Sequence, residues 1–68
     1  MPYVNVRILK ENVTAEQKSQ VIAGITDVLV KVLGKNPDGT FVVIDEVPAE
    51  NWGVKGKSVA DLRKQSGS

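Results

Sequence analysis

The stretch TFVVIDEV, residues 40–47, decides the fold. It is rich in β-branched residues and is closed by Pro48. Both of its alternating sets are apolar, Phe41 and Val43 on one side, Val42 and Ile44 on the other. That pattern predicts a strand covered on both faces. Upstream, beyond the turn signal NPDG at residues 36–39, Val21, Ile22, Ile25, Val28, Leu29, Val32 and Leu33 recur at three- and four-residue spacing. Gln17, Lys18, Gln20, Asp27 and Lys31 mostly fill the other side, as in an amphipathic helix. Thr14 and Gln17 have the spacing of a capping box, and Gly34 supplies the left-handed residue that ends the helix. Gly24 weakens its middle by about 1 kcal/mol relative to Ala, which points to a close backbone contact there.

Further upstream, PYVNVRIL alternates, with Val4, Val6 and Ile8 on one side and Tyr3, Asn5, Arg7 and Leu9 on the other. This is a strand with one apolar and one mixed face. Strand, helix and strand joined tightly make a βαβ unit of the α/β class, with parallel strands and a right-handed crossover. Downstream, NWGVKGKSVADLR reads as a glycine-punctuated hairpin followed by a short helical turn capped by Ser58. A single domain is expected over residues 1–63, and residues 64–68 read as a disordered tail.

One helix covers only one face of a two-stranded sheet. A chain of 68 residues buries only about 60% of its unfolded surface and is marginal alone. Cysteine and histidine are both absent, which removes disulfides and the usual zinc ligands as stabilisers. The remaining face and the open edges therefore call for other copies of the chain. Nine basic and eight acidic residues give a formal net charge of +1, no footprint for nucleic acid or an anionic membrane. No signal peptide or membrane-length apolar run is visible, so a cytoplasmic protein is expected.

Pro2 is the residue with chemistry to explain. At the start of an edge strand its missing N–H is harmless. Removal of Met1 would also turn it into a free secondary amine, a possible base. An ordinary α-amino group titrates near 7.7 to 8.0 and is mostly protonated at neutral pH. An apolar pocket or a neighbouring cation would lower that value toward the working pH, where general-base catalysis is most efficient. Tyr3, Phe41 and Trp52 are the aromatic residues available as dry walls. Trp52 lies outside the periodic core pattern, which suits a subunit interface or a pocket wall.

Met-Pro before one alternating strand, Thr14, Glu16, Gln17 and Lys18 at the helix start, VVIDEV, and the aromatic-glycine hairpin NWGVKGK together resemble the 4-oxalocrotonate tautomerase family. The resemblance covers nearly the whole chain. It implies a βαβ protomer with a C-terminal hairpin that assembles through dimers, by sheet extension, into a homohexamer. It also implies an isomerase that needs no metal or organic cofactor. Pro2 would carry the proton in enol–keto conversion of a 2-hydroxydienoate or an enolpyruvate. Trp52 matches the hairpin aromatic that lines the site, and Leu9 a strand-end position whose backbone faces it.

The departures concern the substrate's carboxylate. Better-known members carry one arginine in the first loop and another at the start of the second strand, where this chain has KENV and GTFV. Lys10 is a candidate point-charge substitute without arginine's planar fork, its simpler role being a solvated surface lysine. Arg7, on the mixed strand face, either reaches a subunit interface or the pocket, or pairs with Asp45 or Glu46 across the sheet. Val54 stands where hydrating and dehalogenating relatives place a carboxylate, which favours tautomerisation over water addition. Glu50 reads as a solvated turn residue. The candidate substrate-binding set is thus Trp52, Leu9, Phe41, Lys10 and Arg7 around a catalytic Pro2. The alternative is a non-catalytic homo-oligomer that keeps the fold for binding or scaffolding.

Overall fold

The computed structural model describes residues 1–65. Strand β1 (Tyr3–Leu9) leads into helix α1 (Ala15–Leu33), a 3₁₀ turn over Pro37–Gly39 and strand β2 (Phe41–Val47). A second 3₁₀ turn, Ala49–Asn51, precedes the short strands β3 (Gly53–Val54) and β4 (Lys57–Ser58) and helix α2 (Val59–Gln65). β1 and β2 pair in parallel, with Tyr3 opposite Phe41 at one end and Leu9 opposite Val47 at the other. β3 and β4 form an antiparallel hairpin. The βαβ unit with its C-terminal hairpin is the arrangement expected from the patterning.

The local signals act as their chemistry requires. Gln17 N donates to Thr14 Oγ1 at 3.1 Å and Thr14 N donates to Gln17 Oε1 at 2.9 Å, so the capping box satisfies donors at both residues. Gly34, at φ 65°, closes α1 in the left-handed region, a conformation that costs glycine nothing. Lys55 and Gly56, at φ 56° and 80°, make the positive-φ turn that suits a two-residue hairpin. Ser58 Oγ accepts from Asp61 N at 3.1 Å and caps α2 as expected. α2 runs on through Lys64 and Gln65, where a tail is expected from the sequence. Arg63 and Lys64 sit in its last turn and favour the negative end of the helix dipole. Residues 66–68 of that expected tail lie outside the described residues.

The close backbone contact expected at Gly24 is absent from the protomer. A Cβ built there meets nothing within 4 Å, because Gly24 lies on the solvent side of α1 while Ile25 and Leu29 turn toward the sheet.

No described residue is fully buried. The Cα radius of gyration is 15.8 Å, against about 11 Å for a compact chain of this length. The accessible surface is 5132 Å², against roughly 4,200 Å² for a folded monomer of this mass. Both excesses have one origin. α1 covers the sheet face of Val4, Val6, Ile8, Val42 and Ile44, all half-buried. The opposite face carries Tyr3, 64% exposed, Phe41, 50% exposed, and Val43. Val21, Val28 and Val32 add an exposed apolar flank along α1, and the hairpin with α2 contacts mainly the Ala49–Asn51 turn. Among the described residues no helix is long and apolar enough to cross a membrane.

Candidate functional site

The sheet's two ends differ in chemistry. At its N-terminal end Met1 is almost wholly exposed and Pro2 is half-buried. The Pro2 carbonyl accepts from Phe41 N at 3.0 Å, which ties the proline to the start of β2. Tyr3 and Phe41 are paired residues on the open sheet face that begins next to it.

The C-terminal end is charged. Lys10 N donates to the Val47 carbonyl at 2.8 Å, extending the ladder by one bond and fixing where the β1–α1 loop leaves the sheet. An open cleft of about 720 Å³ lies there, lined by Lys10, Glu11, Asn12, Val13, Glu46 and Arg63. Lys18 of α1 pairs with Glu46 of β2, both residues being half-buried. Arg63 Nη2 lies 2.8 Å from Glu11 Oε1, which joins α2 to the β1–α1 loop. Lys10 stands in no ion pair among the described residues.

Between the ends, Asp45 Oδ2 accepts from Asn5 Nδ2 at 2.8 Å and lies 3.8 Å from Arg7 Nη2. Arg7 thus takes the cross-strand pairing with Asp45, on the open sheet face and away from the cleft. Leu9 sits beside Val47 at the charged end, half-buried. Trp52 follows the Ala49–Asn51 turn, its carbonyl accepting from Val59 N at 2.8 Å, and it is not among the cleft residues.

The candidate residues therefore fall into two groups in one protomer, Pro2 with Phe41, and Leu9 with Lys10. The seven-residue strand between them separates the groups by about 20 Å. Sequence reasoning left Glu11, Glu46 and Arg63 out of the site. One signal bears on them: Glu46 interrupts the apolar set that faces α1, whereas Lys18, expected on the polar side of the helix, is half-buried against it. Arg63 had no such signal, since only folding brings α2 back to the first loop.

A parallel βαβ unit that begins on proline, carries a C-terminal hairpin and leaves one sheet face open defines a small α/β protein of the 4-oxalocrotonate tautomerase-like fold. Comparison with known proteins agrees. The family model described as "Tautomerase enzyme" matches residues 2–62. The probable tautomerase K2 of Dickeya dadantii is 59% identical over 66 residues, spanning 97% of this chain and 98% of the relative. The 2-hydroxymuconate tautomerase of Comamonas testosteroni is 39% identical over 62 residues, 91% of this chain and 97% of the relative. The crystal structure of DmpI from Helicobacter pylori superposes with a TM-score of 0.83 at 46% identity, covering 93% of this chain and 97% of that one. The chain belongs to the tautomerase family.

Proposed function

We propose that this protein is a cofactor-independent keto–enol tautomerase in which Pro2, freed by removal of Met1, is the general base and acid. The observation that carries the reading is the position of Pro2. The family match begins on it, and it stands just before β1 with its carbonyl bonded to Phe41 N at the start of β2. Where the assembly covers this end with apolar surface, the ammonium form is disfavoured and the amine serves as a base near neutral pH. The amine takes the enol O–H proton of a 2-hydroxydienoate or an enolpyruvate, the C=O bond forms as the double bond shifts, and the new N–H returns the proton to carbon. The likeness to a 2-hydroxymuconate tautomerase supports the dienoate class.

A single protomer does not bring its own Lys10 to its own Pro2. The working site is therefore built between copies of the chain, Pro2 and Phe41 from one protomer facing the Leu9, Lys10 and Trp52 region of another. Leu9 and Trp52 supply apolar walls, Lys10 a charge for the substrate carboxylate, and Arg7 holds Asp45 at the joint. The exposed face of Tyr3, Phe41 and Val43 is the surface such an assembly covers, in a homohexamer made of dimers, acting in the cytoplasm.

The test is turnover of an enolpyruvate and of 2-hydroxymuconate by protein whose intact mass shows Met1 removed. Pro2→Ala leaves a primary amine at the same place and lowers kcat by roughly 10²-fold or more, within the range of general acid–base catalysis. The pH profile of the unmodified protein rises as the amine loses its proton. Activity that survives a blocked N-terminus with an unchanged profile excludes Pro2 as the base.

A further inference from the structure

The geometry points to Arg7 and Asp45 as a pair made between copies of the chain, the guanidinium of one protomer binding the partner's Asp45 across the open sheet face and fixing the register in which two sheets meet. The inference rests on the part of the proposed function that has this face covered by further copies, and on none of its proton chemistry.

Along the ladder this face runs from Tyr3 and Phe41, through Asn5 and Val43, to Arg7 and Asp45. One end is aromatic and the other carries one charge of each sign. Inside the protomer the Arg7–Asp45 pair is incomplete. Arg7 Nη2 lies 3.8 Å from Asp45 Oδ2, beyond hydrogen-bond length. The Arg7 side chain is 67% exposed and its guanidinium makes no hydrogen bond among the described residues. Asn5 Nδ2 donates to Asp45 Oδ2 at 2.8 Å, which holds the carboxylate in place and leaves Oδ1 without a donor among the described residues. The protomer therefore presents free N–H donors and a free carboxylate oxygen on one face.

Covering that face with apolar surface alone would bury a cation unpaired, at high cost. A second copy offers each Arg7 the partner's Asp45, and a two-fold arrangement makes both pairs at once. The two charges cancel, so like faces do not repel. Area agrees. The protomer's 5132 Å² exceeds the surface of a compact chain of its mass by about 900 Å², and a standard interface takes about 800 Å² from each partner. Tyr3, Phe41 and Val43 supply the apolar contact, and the charges choose the register. A slide along the strands trades the partner's Asp45 for apolar surface and leaves the guanidinium unpaired.

Sedimentation velocity of the full chain reads the association directly, with no turnover involved. Arg7→Ala is expected to raise the dissociation constant by roughly a hundredfold. Arg7→Asp puts two carboxylates on the face and Asp45→Arg two guanidiniums, so each variant alone is expected to sediment as protomers. Mixed in equal amounts they are expected to assemble, and native mass spectrometry then shows both variants in one particle. Only a pair between chains gives that rescue, because each variant keeps like charges within its own chain. Where circular dichroism shows that a charge-reversed chain does not fold, Arg7→Gln and Asp45→Asn decide instead. Each is expected to weaken association at least about tenfold, and an unchanged constant in either overturns the inference. A wild-type constant in Arg7→Ala, or folded charge-reversed variants whose mixture stays protomeric, also overturns it and leaves the covered face and the proposed chemistry standing. Wild-type chain that sediments as protomers overturns the inference and the assembly together. Association that behaves as expected in a protein that turns over no enol supports the pair and overturns the proposed chemistry.

Discussion

The two ends of the β1–β2 sheet are built from opposite materials. The N-terminal end has proline, tyrosine and phenylalanine and open apolar surface. The C-terminal end has three cations and two carboxylates held partly in ion pairs. A base that must be uncharged to work gains from the first environment, and an anion that must be gripped gains from the second. The length of β1 keeps them about 20 Å apart, so on the proposed function the two ends meet only between protomers.

The largest expected effect comes from breaking that link. Val43→Asp places a charge on the open sheet face, where Val43 is exposed in the protomer. The isolated chain tolerates it, whereas an interface that buries it does not. Sedimentation velocity is expected to show protomers and the enol assay no activity. An intact, active oligomer would mean that this face stays open.

A smaller but sharper effect comes from mixing chains. Pro2→Ala and Lys10→Glu protein are each expected to be nearly inactive at low substrate. Unfolded together and refolded, they form sites in which the two wild-type ends meet, about a quarter of the total if chains assort at random in a symmetric assembly. Activity that stays at the average of the two parents would place both ends in one chain's site.

The smallest effect concerns the charged end alone. Glu46→Gln removes the carboxylate that half-buried Lys18 uses to join α1 to β2, and should lower the protein's stability by about 1 kcal/mol. Thermal unfolding of matched samples reads this directly. A loss of several kcal/mol would mean that the pair is more deeply enclosed in the assembly than in the protomer.

Local signals in the chain are realised closely. Thr14 and Gln17 cap α1, Gly34 ends it, Lys55 and Gly56 turn the hairpin and Ser58 caps α2, because each depends on residues a few positions apart. Gly24 shows the limit of such reading: a weak helix residue suggested a backbone contact, and the protomer shows open space around it. The candidate site was legible unevenly. Pro2 and its aromatic neighbours were visible from position and residue type, and Arg7's pairing with Asp45 was one of two open readings. The place of Arg63 beside the cleft was not legible, since 52 residues separate it from Glu11.

By itself the sequence determined the order and type of the elements and the parallel βαβ topology, through periodicity and capping chemistry, while too little core for its length gave the expectation of other copies. The tertiary structure alone decided which charges meet. The crossover places Lys18 on Glu46, and the return of α2 brings Arg63 to Glu11. These are contacts between positions distant in the chain, set by how elements pack rather than by what each residue prefers locally.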